Sequence, residues 1–149
     1  MSLTSEIQSA IITAMKAKDK PTLSVLRMLK AAISNKQIEI GHELSDEEVI
    51  GVLASEVKSR NDSISEFKKG KRDDLVSQTE NEIKVLQQYL PAPLSDQELQ
   101  ELVARVISEL NANGLKDMGK VMGKLSAQTK GRVDGGKLAA IVKEKLGAQ

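Results

Sequence analysis

Apolar residues recur along this chain at helical spacing, and none of its segments alternates as a strand would. Leu3, Ile7, Ala10, Ile11 and Ala14 line one face of a first helix, which the charged cluster Lys16 to Lys20 closes ahead of Pro21. Pro21 suits the first turn of a second helix that buries Leu23, Leu26, Met28, Leu29 and Ile33 and ends near Gly41. Ser45 and Glu48 have the spacing of a reciprocal N-terminal cap, with Leu44 and Val49 placed to close over it. The same grammar recurs from Leu94 to Leu99. Val49, Leu53, Val57, Ile64 and Phe67 then define a long third helix with a charged outer face, and Asp73 or Asp74 caps a fourth through Leu75, Val76, Ile83, Leu86 and Leu90.

Pro91-Ala92-Pro93 interrupts this pattern, because two prolines remove helical donors and bias their neighbours toward extended backbone. Beyond it come a helix from Ser95 to about Asn113, a glycine–lysine helix from Asp117 to Gln128, and a last helix from an Asp134 cap to Leu146, with Val133 and Leu138 as its staple. The expectation is an all-α chain, with a four-helix N-terminal domain over 1–92 and a small three-helix C-terminal domain over 93–149.

At 100° per residue the glycine–lysine helix places Met118, Val121, Met122 and Leu125 on one apolar stripe, Gly119, Gly123 and Ser126 on a second, and Lys120 and Lys124 on a third. Two uses compete for the glycines. They permit close packing of a neighbouring helix of this chain, or they let another molecule's backbone approach two ammonium groups. Lys130, Arg132 and Lys137 follow around the next turn, where Asp134 as cap would keep a phosphate out of the helix mouth and leave contact to the side chains.

Net charge is only +1, but from Leu115 to Gln149 eight basic residues face three acidic ones, so an anionic partner should meet the C-terminal end. Phe67 and Tyr89 are the only aromatics, too few for a surface that stacks single-stranded bases. No cysteine is present, and His42 is the only histidine, in an expected solvated loop, so no metal site, cofactor site or nucleophile with a positioned base can be assembled. The acids Asp46 to Glu48 and Asp73-Asp74 sit at helix N-termini, where capping and the helix dipole account for them. Gly119 to Ser126 fails as a nucleotide-binding P-loop: Met118 stands where that loop needs its first glycine, and Leu125 where it needs a hydroxyl. No run is long enough to span a bilayer, and the first twenty residues lack a basic start and small-residue cleavage site, which leads to the expectation of a cytoplasmic protein.

Three passages, Leu23 to Ile33, Glu82 to Leu99 and Met118 to Leu138, occur in the order found in the GatB/YqeY family, and together they span nearly the whole chain. It resembles the tail of the B subunit of the tRNA-dependent amidotransferases, and is identified as a member of the free-standing, YqeY-like kind. The resemblance implies a tRNA-associated helical module with no amidotransferase site of its own, since the catalytic cradle has no counterpart here. It also implies tRNA or a tRNA-linked enzyme as partner, with Lys120, Lys124, Lys130, Arg132 and Lys137 as the matching basic positions. Two other readings stay open: an accessory subunit in carbon–nitrogen ligase activity, and an adaptor whose Gly119 stripe accepts a partner helix. Neutralising three to four phosphates through the basic face would give a clear salt dependence of tRNA binding.

Overall fold

A computed structural model describes residues 2–147. Among them the secondary structure is all α: α1 (Leu3–Lys16), α2 (Lys20–Ile40), α3 (Asp46–Lys69), α4 (Asp73–Gln87), α5 (Asp96–Glu109), α6 (Met118–Gln128) and α7 (Gly135–Gly147), with one 3-10 turn over Leu115–Asp117. The chain divides into two compact units, Met1–Leu90 and Pro91–Gln149.

In the first unit, Ile7, Ile11 and Ala14 of α1 pack with Val25, Leu26, Leu29 and Ile33 of α2, Val49 and Leu53 of α3, and Leu86 of α4. The reciprocal cap at α3 forms in full: Ser45 N donates to Glu48 Oε1 at 3.0 Å and Glu48 N donates to Ser45 Oγ at 3.2 Å. Leu44 is buried beside Val49, as a staple requires. Leu3 N donates to Asp46 Oδ1 at 3.0 Å, which ties the start of α1 to the start of α3.

Three expectations need correction. Met28 is 51% exposed, and Val25, one turn earlier in the helix, takes the buried place beside Leu26 and Leu29. Neither Asp73 nor Asp74 caps α4; Arg72 holds the cap position without a side-chain cap bond. Asp74 is instead held by the Arg72 guanidinium through Nε at 3.2 Å and Nη2 at 3.1 Å. At α5, Ser95 Oγ accepts from Glu98 N at 3.1 Å, but the Glu98 carboxylate takes the Ser95 hydroxyl at 3.0 Å, so the second cap is not the reciprocal box of the first.

The first unit also buries a charge that the periodicity did not reveal. Arg60 on α3 donates from Nε to Glu82 Oε1 of α4 at 3.3 Å and from Nη1 to the Glu56 carbonyl at 3.2 Å. The Glu56 carboxylate lies 3.7 Å from Nη1, and Met28 Sδ sits 4.0 Å from Nη2. The signal was present in the spacing: Arg60 falls on the core-facing series Leu53, Val57, Ile64, Phe67, where an apolar residue would otherwise stand. A charge on that stripe must be paired, and here it is.

In the second unit, Leu99, Val103, Val106 and Ile107 of α5 pack with Val121 and Leu125 of α6 and with Leu138, Ile141, Val142 and Leu146 of α7. Asp134 stands before α7, accepting from Gly136 N at 3.4 Å, with Val133 against the same core as Leu138. The proline segment is held within this unit. Arg132 Nε donates to the Ala92 carbonyl at 2.9 Å, and Leu94 N donates to the Arg132 carbonyl at 3.0 Å.

Candidate nucleic-acid interface

Helix α6 is fixed by one face. Val121 and Leu125 are fully buried and Met118 and Met122 half-buried against the same core, so the apolar stripe read from the sequence is the inward one. After it, Thr129 closes the helix with its hydroxyl on the Leu125 carbonyl at 2.8 Å and its N–H on the same oxygen at 2.9 Å.

The orientation of α6 leaves Gly119, Gly123 and Ser126 exposed. A Cβ built on Gly119 or Gly123 meets no atom within 4 Å. The expectation that these glycines pack a neighbouring helix of this chain is therefore overturned: the inner face of α6 is filled by Val121 and Leu125, and the glycine stripe points to open space.

The structure separates the five basic candidates. Lys120 and Lys130 are exposed, and their side chains have no hydrogen-bond or ion-pair partner among the described residues. Lys124 is half-buried and its Nζ lies 2.7 Å from Glu109 Oε2. That hydrogen bond and its charge, with a smaller contribution from Arg105, hold the Glu109 carboxyl below the usual carboxylate range. Lys137 pairs with Asp96, joining the start of α7 to the start of α5. Arg132 spends its Nε on the proline segment. Thus α6 and the turn after it present two lysines free of any partner; Lys124 and Lys137 are paired with carboxylates, while Arg132, bonded to a neutral carbonyl, keeps its charge.

Other chemistry is sparse. His42 is exposed, with Nδ1 2.7 Å from the Glu43 carbonyl oxygen and Nε2 4.0 Å from Glu48 Oε2. Among the described residues no group of three or more His, Cys, Asp or Glu side chains is placed to hold a metal ion. An open depression lined by Ala104, Ile107, Ser108, Asn111, Ala112 and Lys145 brings together one ammonium, one hydroxyl and one amide, without an acid–base pair.

A family model described as "Yqey-like protein" matches residues 4–146. The chain belongs to the YqeY-like family. Among its curated relatives is "Altered inheritance of mitochondria protein 41, mitochondrial" of Pyrenophora tritici-repentis, 31% identical over 147 residues, covering 96% of this chain and 80% of the relative. The protein of the same name from Kluyveromyces lactis is 41% identical over 99 residues, 65% of this chain and 52% of the relative. That from Vanderwaltozyma polyspora is 32% identical over 120 residues, 78% and 65% respectively. This YqeY-like chain therefore spans between about half and four-fifths of these relatives.

The relatives' names overturn the cytoplasmic placement, because each specifies mitochondria. A missing basic start and cleavage site argue against a secretory signal, and do not distinguish the cytosol from an organelle reached by another route.

Proposed function

We propose that this chain is a non-catalytic, tRNA-associated helical module, akin to the tail of the glutamine-dependent Glu/Asp-tRNA amidotransferase B subunit, and that it meets the RNA backbone with α6. The observation that carries this reading is the open strip of Gly119, Gly123 and Ser126, where an added Cβ at either glycine would touch nothing, on a helix that also carries the unpartnered Lys120 and is followed by the unpartnered Lys130. A strip without side chains lets a bulky backbone approach, and free ammonium groups supply sequence-independent attraction for phosphate.

The committed cations contribute less. A phosphate must displace Glu109 from Lys124, or Asp96 from Lys137, and the ion pair that is lost offsets the gain, so these contacts form less readily. Two free lysines at about 0.7 to 0.9 each give a contribution of roughly 1.4 to 1.8 to the slope of log affinity against log salt, less than the three to four contacts expected from the sequence. The test is binding of unfractionated tRNA, with mitochondrial tRNA as a second pool, by the whole chain and by Lys120→Glu/Lys130→Glu. The variant should bind more weakly at low salt with a slope shallower by about that amount. Equal affinity and slope in parent and variant would remove α6 as the contact. Purified chain supplied with Glu-tRNA, ATP and glutamine should form no Gln-tRNA.

One observation favours a protein-binding adaptor as the second reading. Leu115, one helical turn before Gly119, is 52% exposed and gives the strip an apolar edge. A partner helix packed there would hold against added salt, whereas phosphate contacts would weaken steeply.

A further inference from the structure

Helices that end by turning left-handed usually place glycine or asparagine at the turning residue, because other side chains crowd the following carbonyl there. This chain does so with Gly41 after α2, at φ 82°, and with Asn111 after α5, at φ 51°. After α1 and after α3 it uses lysine instead: Lys18 and Lys71 both stand at φ 56°. The bonding is the same in both turns. Lys18 N donates to the Met15 carbonyl and Asp19 N to the Ala14 carbonyl; Lys71 N donates to the Lys68 carbonyl and Arg72 N to the Phe67 carbonyl.

The two turns lie at one end of the N-terminal unit. The Leu3–Asp46 bond puts the starts of α1 and α3 together, α2 returns between them, and α1 and α3 therefore run in the same direction. Lys16, Lys18, Lys20, Lys68 and Lys71 are exposed at this end and have no side-chain partner among the described residues. The acids nearby are largely occupied. Asp19 caps α2 through Thr22 N, Glu66 pairs with Lys69, and Asp74 with Arg72, while Asp73 sits in the first turn of α4.

We propose that this end of the N-terminal unit is a second RNA-contact surface, at which Lys18 and Lys71, held left-handed at both turns, take phosphates of one RNA backbone. Since α1 has 14 residues and α3 has 24, the second turn lies about 15 Å further along the bundle than the first. Two cationic steps so offset suit a long polyanion that follows the surface, not one small anion. A flat bilayer fits them poorly. It would meet the α3–α4 turn first, leaving the exposed Ile12 and Met15 near the α1–α2 turn about 15 Å back, beyond the roughly 5 to 10 Å an interfacial apolar face reaches.

The inference rests on the RNA reading above for the class of partner, but on different residues. The experiment uses the whole chain, unfractionated tRNA, and Lys18→Asn/Lys71→Asn, since asparagine accepts the left-handed turn as Asn111 already does. The variant should melt at or above the parent's temperature, yet bind tRNA more weakly, with a salt slope shallower by about 1.4 to 1.8. Unchanged affinity and slope would overturn the proposal, and so would a lowered melting temperature with loss of helix, because the lysines would then serve the fold. Anionic vesicles of phosphatidylserine and phosphatidylcholine form the second arm: a parent that binds these and no tRNA, with the variant losing both lysine contacts and vesicle binding, moves the surface to lipid and sinks the RNA assignment. Lys120→Glu/Lys130→Glu separates the two readings. A loss confined to that pair leaves α6 and removes this surface; a loss confined to Lys18 and Lys71 does the reverse.

Discussion

Replacing Gly119 and Gly123 by alanine should stabilise this protein while weakening whatever docks on α6. In a helix interior glycine costs about 0.5 to 1 kcal/mol relative to alanine, because its backbone loses more freedom on folding. Gly123 lies mid-helix, so the full difference applies; Gly119 is the second residue of α6, where part of the helix advantage is lost, and a few tenths of a kcal/mol is the fair figure. Nothing opposes the gain, since the new methyl groups find no atom within 4 Å. The double variant should therefore gain about 1 kcal/mol, which raises the melting temperature of a unit this small by roughly 4 to 8 °C. Calorimetry or urea denaturation measures it, and tRNA titration at low salt measures the cost to binding. Gly119→Leu/Gly123→Leu extends the test, for the larger side chains spare the core yet block close approach. A double alanine variant less stable than the parent would refute the reasoning, because the strip would then be packed against something in the folded state.

Arg60→Met should destabilise the N-terminal unit by about 2 to 3 kcal/mol, below the 3 to 5 typical of a broken buried pair because the side chains of Glu56 and Glu82 keep 25% and 21% of their exposure. Adding Glu82→Leu should recover much of that loss, and a single-variant cost under about 0.5 kcal/mol in urea denaturation would show that the cluster does not hold α3 to α4. Glu109 should titrate below an ordinary glutamate, and Lys124→Gln should raise its midpoint in a carboxyl NMR titration, because that lysine is the main cause of the depression. A folded value held below the unfolded one contributes stability above the unfolded value and loses it as pH falls through the folded value, so protonation of Glu109 weakens the Lys124–Glu109 tie on acidification.

The fold was legible where the information is local. Ser45 with Glu48, Gly41 after α2, and the apolar series of each helix act within a few residues, and the structure follows them closely. Val25 was legible too: at 100° per residue it lies about 40° from Leu29, whereas Met28 lies about 100° from it on the same side, so strict periodicity favours Val25 as the buried residue. Arg60 was harder to read. A charged residue reads as part of a solvated face unless its position is weighed against its type, and one of its carboxylate partners stands 22 residues away on α4.

The candidate interface was legible only in part, and its charge is the part that misled. Counting residues from Leu115 onward gives a strongly basic segment, yet accessible charge depends on which cations the fold has already neutralised. Glu109 lies 15 residues from Lys124 and Asp96 lies 41 from Lys137, separations at which no local rule predicts a pair. Both acids belong to α5, a helix whose sequence looked merely amphipathic. Folding thus takes Lys124 out of the reckoning and leaves Lys120 on α6 and Lys130 in the turn after it unpaired. A polyanion gains Lys120 and Lys130 without breaking an internal pair, and gains Lys124 only by displacing Glu109. The salt slope therefore discriminates between the two ways of counting: about 2.1 to 2.7 for Lys120, Lys130 and the still-charged Arg132 if pairing governs, and about 3.5 to 4.5 if all five basic candidates act alone.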